Sequence, residues 1–183
     1  FRRVLFRSVR PVSLVVDVTN YVMLELGQPL HAFDADRVTG AVVVRHARPG
    51  EALELLDHTT RTLDEADLVI ADDSGALSLA GIMGGVQSEI SESTTSVLIE
   101  AAHFNHEVIA ASCRRHRLST DASRRFERGV DPQLAPVAAH RAASLLVALA
   151  GAHSAGLQAV EFEQPAVHIN ATGSAIAAVT GLA

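Results

Sequence analysis

Apolar positions Val15, Val18, Val22 and Leu26 recur at spacings of three and four, the stripe of a helix with one buried face. Gly27 is placed to cap that helix and Pro29 prevents its continuation, so a tight ordered loop carrying His31 is expected next. The pattern then shortens to strand length. Residues 41–45 form a β-branched run, and residues 53–56 and 60–63 flank Asp57-His58 as the arms of a hairpin. Residues 68–71 end in the turn Asp72-Asp73-Ser74-Gly75, and residues 77–80 lead into Gly81-Ile82-Met83-Gly84-Gly85. Glycines at the end of an apolar strand indicate close approach of backbone to a ligand or to a neighbouring stretch of chain. Residues 97–99 form a further buried strand that delivers Glu100.

Helical patterning returns after Phe104. Asn105 caps a helix to about Arg117, a shorter helix starts near Asp121, and Pro132 opens a long one to about Ala150. Its expected apolar face is Leu134, Val137, Ala138, Ala142, Leu145, Leu146 and Leu149, and Gly151 stops it. A return strand is expected over 159–162, and from Val167 the pattern reads as the start of another unit. Strands and helices mixed in this order predict an α/β (α+β) domain with mixed sheets and flanking helices.

Composition narrows the function. The chain of 183 residues suits one domain of ordinary size, and no apolar run is long enough to span a membrane. A single cysteine, Cys113, excludes a disulfide framework and fits a reducing compartment. Net charge is −6, which argues against wholesale coating of nucleic acid. All fifteen basic residues are arginine, and six of them lie between 114 and 128 beside Ser119, Thr120, Asp121 and Ser123. Such a cluster of forked, permanently charged donors suits a phosphate chain, which makes Arg114, Arg115, Arg124 and Arg125 candidate RNA contacts. Aromatic content of 4% without tryptophan argues against a base-stacking platform.

Two residues stand out as chemistry. His31 either fixes its loop by bonds to Asp34 or the backbone, or forms the polar wall of a pocket. Glu100, at the end of an apolar strand, either pairs with an arginine of 114–128 or faces a pocket and meets a ligand hydroxyl. His103 and His106 stand three apart without a third donor, so no metal site is expected. The glycines at 81–85 lack the spacing of a dinucleotide fingerprint, no lysine completes a phosphate loop, and no nucleophile elbow occurs.

The blocks V-D-V-T-N-Y, G-Q-P-L-H-A-F-D, A-G-I-M-G-G and R-R-H-R-L-S-T-D-A-S-R-R-F-E-R-G-V-D-P occur in one order. Together they resemble the B3/B4 domain of the bacterial phenylalanyl-tRNA synthetase beta chain, over roughly residues 10–150. The resemblance implies an editing domain over 10–163, an unmatched linker over 1–9, and the start of the small B5 domain over 164–183. It implies hydrolysis of mischarged Tyr-tRNA(Phe) in a pocket that falls on Arg10, Asn20, Pro29, His31, Gly84, Glu100, Thr120 and Ala122. In the family the glutamate reads the tyrosine hydroxyl, which falls to Glu100. His31 and Gly84 then serve the attacking water and the oxyanion, with Thr120 and Ala122 beneath the amino acid. The implied context is cytoplasmic, a heterotetramer of two alpha and two beta subunits acting on tRNA(Phe). ATP and Mg2+ then belong to the whole synthetase, with no cofactor in this segment. The alternatives are a non-catalytic interaction module and a free-standing aminoacyl-tRNA deacylase.

Overall fold

In the computed structural model the described residues are 13–160 and 170–181. Arg10, the linker expected over 1–9 and part of the return strand expected over 159–162 lie outside them, while residues 159 and 160 hold no regular structure. The first helix, α1 (Leu14–Leu26), starts where Ser13 accepts from the amide of Val16. It ends at Gly27, whose φ of +82° only glycine adopts at low cost. The chain does not then loop. It enters strand β1 (Leu30–Asp34), so His31 sits on a strand rather than in the loop expected for it.

Eight strands form three antiparallel groups among the described residues. Strand β1 pairs with β8 (Val97–Ala101), bringing together segments some seventy residues apart. A four-stranded sheet runs β2 (Val43–His46), β5 (Leu68–Ala71), β6 (Ala76–Leu79), β7 (Met83–Gly84). The hairpin of β3 (Ala52–Glu54) and β4 (Thr60–Thr62) joins it through a bridge between Leu55 and Gly85. The helices α2 (His106–His116), α3 (Asp121–Phe126) and α4 (Leu134–Ala150) follow. A mixed α/β architecture results, as the patterning predicts.

Two cores result, and the β1–β8 ribbon divides them. One is the sheet core, built from Phe33, Leu53, Leu55, Ile70, Leu77 and Leu79 with Phe104, Ile109 and Phe126 from the segments behind. The other is a helix seam in which Val18 and Val22 of α1 meet Ala138, Ala142 and Leu146 of α4, with Leu30, Val97 and Ile99 against it. Helix α4 begins at Leu134, two residues later than Pro132 suggests, and holds Pro136 in its first turn, where no amide is needed. Its buried stripe is the alanine side. Val137 and Leu149 are exposed, against expectation, because only one neighbouring helix covers α4. Past residue 169, helix α5 (Gly173–Thr180) is capped by Thr172 and buries no residue.

A buried carboxylate locks α2 to the sheet. Asp67 is fully buried and accepts from Ser112 Oγ (2.7 Å), His116 Nε2 (2.6 Å), the Asp64 amide (2.8 Å) and the Arg115 guanidinium. Burial alone raises its pKa, but the bonds from His116, Ser112 and the Asp64 amide outweigh that and hold it below the ordinary value. Asp67→Ala leaves His116 and Ser112 buried without their acceptor and is expected to cost about 3–5 kcal/mol. A denaturant titration checks this, and a loss below about 1 kcal/mol contradicts the lock.

Candidate functional site

Alternation along the ribbon sends side chains of one parity to the helix seam and those of the other to the sheet core. Leu30, Ala32 and Asp34 face one way with their partners Ala101, Ile99 and Val97. His31 and Phe33 face the other way, and His31 lies directly opposite Glu100. The ring of His31 rests edge-on against Phe33, with centroids 4.6 Å apart. On its other side it lies against Gly84. A Cβ placed on Gly84 would stand 2.5 Å from His31 Cε1 and 2.6 Å from Nε2, so only glycine leaves room for the ring. The close approach expected of this glycine segment is thus to the imidazole.

His31, Gly84 and Glu100 line one open pocket of about 360 Å³, mouth included. Its walls are Pro29 and Leu30 on the ribbon side, Ser78 and Leu79 from β6, Gly81, Ile82 and Met83 from the loop into β7, and Ala122 and Phe126 from α3. Helix α3 is aimed by its own cap. Thr120 Oγ1 accepts from the Ser123 amide and donates to the Ile82 carbonyl, both at 3.0 Å, tying the helix start to the glycine loop. Ala122 and Phe126, one turn apart, then share the face that meets the pocket.

Burial sets the charge state of this pocket. Glu100 is half-buried and has no hydrogen bond or ion pair among the described residues, and desolvation pushes its pKa up to about 8. Desolvation lowers that of His31 to about 4. Both groups are therefore neutral at pH 7. A protonated carboxyl both donates and accepts, and the imidazole keeps one donor and one acceptor. Among the described residues no group of three His, Cys, Asp or Glu side chains is arranged to hold a metal ion.

Of the residues singled out from sequence, Pro29, His31, Gly84, Glu100 and Ala122 come together on the pocket, and Thr120 supports it from behind. Asn20 does not line it. Burying Val18 and Val22 against α4 turns Asn20, two residues from each, about 200° away from that seam. Arg10 lies outside the described residues. The ion pair considered for Glu100 does not form: Arg115 is committed to Asp67 and, at 3.6 Å, to Asp64, and Arg125 reaches the Asp121 carbonyl at 2.6 Å. Arg124 donates to Ser119 Oγ at 3.1 Å, while Arg114 is exposed. The arginine stretch is thus partly a set of internal braces. His31 makes no bond to Asp34, whose carboxylate is taken by Thr94 at 2.7 Å and the Asp36 amide. Sequence reasoning missed Ser78 and Phe126 as pocket walls. A serine inside the apolar run 77–80 was the available signal for the first.

Residues 1–151 match the family model of the B3/4 domain. The chain is 60% identical over 150 residues to the "Phenylalanine--tRNA ligase beta subunit" of Cutibacterium acnes. It is 59% identical to the protein of that name in Nocardia farcinica and 56% to that in Thermobifida fusca. Each match covers 82% of the chain but 18% of the relative's length.

The two neutral groups make stability depend on pH with opposite signs. Glu100 is held near 8 against an ordinary 4.5, so as pH rises the unfolded chain gives up its proton first. Its contribution therefore falls between about pH 4.5 and 8 and is level above that. His31, held near 4 against 6.5, lowers stability as pH falls across that interval. Glu100→Gln removes the first slope, so the variant gains stability relative to the parent between pH 5 and pH 8. Urea unfolding at both pH values measures this, and a difference that ignores pH contradicts the buried carboxyl.

Proposed function

The chain belongs to the B3/4 domain family, and from that premise we propose that it hydrolyses tyrosine wrongly esterified to tRNA(Phe). It does so as the editing module of a phenylalanine–tRNA ligase beta subunit. The observation that carries the reading is the partnerless carboxyl of Glu100, opposite His31 in a pocket otherwise walled by apolar groups. A tyrosine side chain fits such a site because its ring meets Ala122, Phe126 and Met83 while its hydroxyl meets Glu100. Phenylalanine fills the same space but leaves the carboxyl unpaired, at a cost of about 1–3 kcal/mol. An apolar synthetic site has the opposite weakness, since it rejects an added hydroxyl only about a hundredfold. A second site that welcomes the hydroxyl inverts the preference.

The ester is already activated, so the site needs no covalent nucleophile. Water attacks the carbonyl beside His31, whose low pKa makes it a neutral holder of that water. Backbone near Gly84 steadies the oxyanion. Exposed arginines of the 114–128 stretch, Arg114 among them, hold tRNA phosphates. In this reading the alpha subunit, two with two beta chains in the cytoplasm, carries the aminoacylation site with its ATP and Mg2+.

The test uses the intact alpha–beta enzyme containing this segment. Glu100→Ala is expected to slow clearance of Tyr-tRNA(Phe) about tenfold or more, the worth of one lost hydrogen bond to a buried group. Clearance at the parental rate would remove Glu100 from the role of reader.

A further inference from the structure

Three buried side-chain oxygens have no hydrogen-bond partner among the described residues: Gln28 Oε1, Ser78 Oγ and Ser88 Oγ. Ser78 alone belongs to a residue that lines the pocket, and it is only 3% exposed. A hydroxyl left unsatisfied in a core costs about 1–3 kcal/mol, which a methyl group would avoid. Its place in the sheet says where it points. Ser78 is the register partner of Gly84, so its side chain leaves the sheet on the same face as a Cβ of Gly84 would. That face is occupied by His31, with Nε2 2.6 Å from the Gly84 Cβ position. Cβ atoms of directly opposed residues lie about 4.5–5.5 Å apart. Ser78 Oγ and His31 Nε2 therefore share one side of one rung, at the spacing that a single water bridges.

We propose that Ser78 is the second holder of the attacking water, gripping it with His31 at the Gly84 rung. The assignment rests on the editing reading above. Ser78 Oγ accepts one hydrogen of the water, or donates to it, while His31 fixes its remaining direction. This aims a lone pair at the ester carbonyl. The water oxygen bonds to the carbonyl carbon and the bond from that carbon to the ribose oxygen breaks. One water proton goes to the ribose oxygen and the other leaves as the released amino acid ionises. Glu100 stays with the side-chain hydroxyl at the other end of the amino acid, so recognition and hydrolysis use different residues.

Ser78→Ala and Ser78→Cys in the intact alpha–beta enzyme test this, with pre-formed Tyr-tRNA(Phe) as the probe. Both variants are expected to lower kcat for deacylation about tenfold with KM unchanged, since neither offers a good water ligand. Ser78→Ala is also expected to match or exceed the parent in Tm, because it removes an unsatisfied buried group; a merely structural serine would lower Tm instead. Unchanged kcat in Ser78→Ala overturns the assignment. So does a rise in KM at constant kcat, which would place Ser78 on the amino acid. Retained kcat in Ser78→Cys alone also overturns it, because volume and not the hydroxyl would then govern. A parent enzyme that leaves Tyr-tRNA(Phe) intact overturns the editing reading itself, and is told apart by needing no variant.

Discussion

The pairing of β1 with β8 is the constraint on which the rest depends. A strand alternates strictly, so the register that sets His31 against Glu100 also sets Leu30 and Ile99 against the α1–α4 seam. A slip of one residue would drive the imidazole and the carboxyl into that seam and put leucine and isoleucine in the pocket. Two clamps oppose the slip. At one end Gln28 Nε2 donates to the carbonyls of Pro29 and Ala102, at 3.0 and 2.9 Å. At the other, Asp34 accepts from Thr94 and the Ala35 amide bonds to the Ser96 carbonyl. The helix seam, the pocket and the position of its two titratable groups are therefore one choice made once.

Placing a carboxyl without a partner in a desolvated pocket is costly, and sheet burial bears that cost. The same desolvation that strains the folded state gives the site its selectivity in the proposed reading. A ligand that returns a hydrogen bond to Glu100 relieves the strain, and one that does not leaves it in place. Gly84 makes the arrangement compact, since any side chain there would push the ring of His31 out of line with the carboxyl. The Thr120 cap holds Ala122 and Phe126 against the far wall. Rigidity here comes from strands and a capped helix, which fixes geometry more tightly than loops do.

What the sequence disclosed was local. Helix α1 with its glycine cap, the Asn105 cap of α2 and the hairpin around Asp57 all follow from contacts within a few residues. What it concealed was non-local. His31 read as a loop residue because the strand that pairs with it lies some seventy residues downstream. Arg115 read as a phosphate contact because Asp67, its partner, is 48 residues away. Val137 and Leu149 read as core because periodicity marks a face but not how much of it a neighbour covers. Family resemblance gathered the pocket residues in advance, yet it carried Asn20 along and omitted Ser78, whose place follows from its pairing with Gly84.

The most direct measurement is the ratio of rates at which the intact parent enzyme, alpha and beta chains together, hydrolyses Tyr-tRNA(Phe) and Phe-tRNA(Phe). A buried, partnerless Glu100 predicts that the tyrosyl ester is cleared at least about tenfold faster, the minimum that one hydrogen bond to a desolvated carboxyl supplies. Equal rates for the two esters, or no hydrolysis of either, would contradict the account.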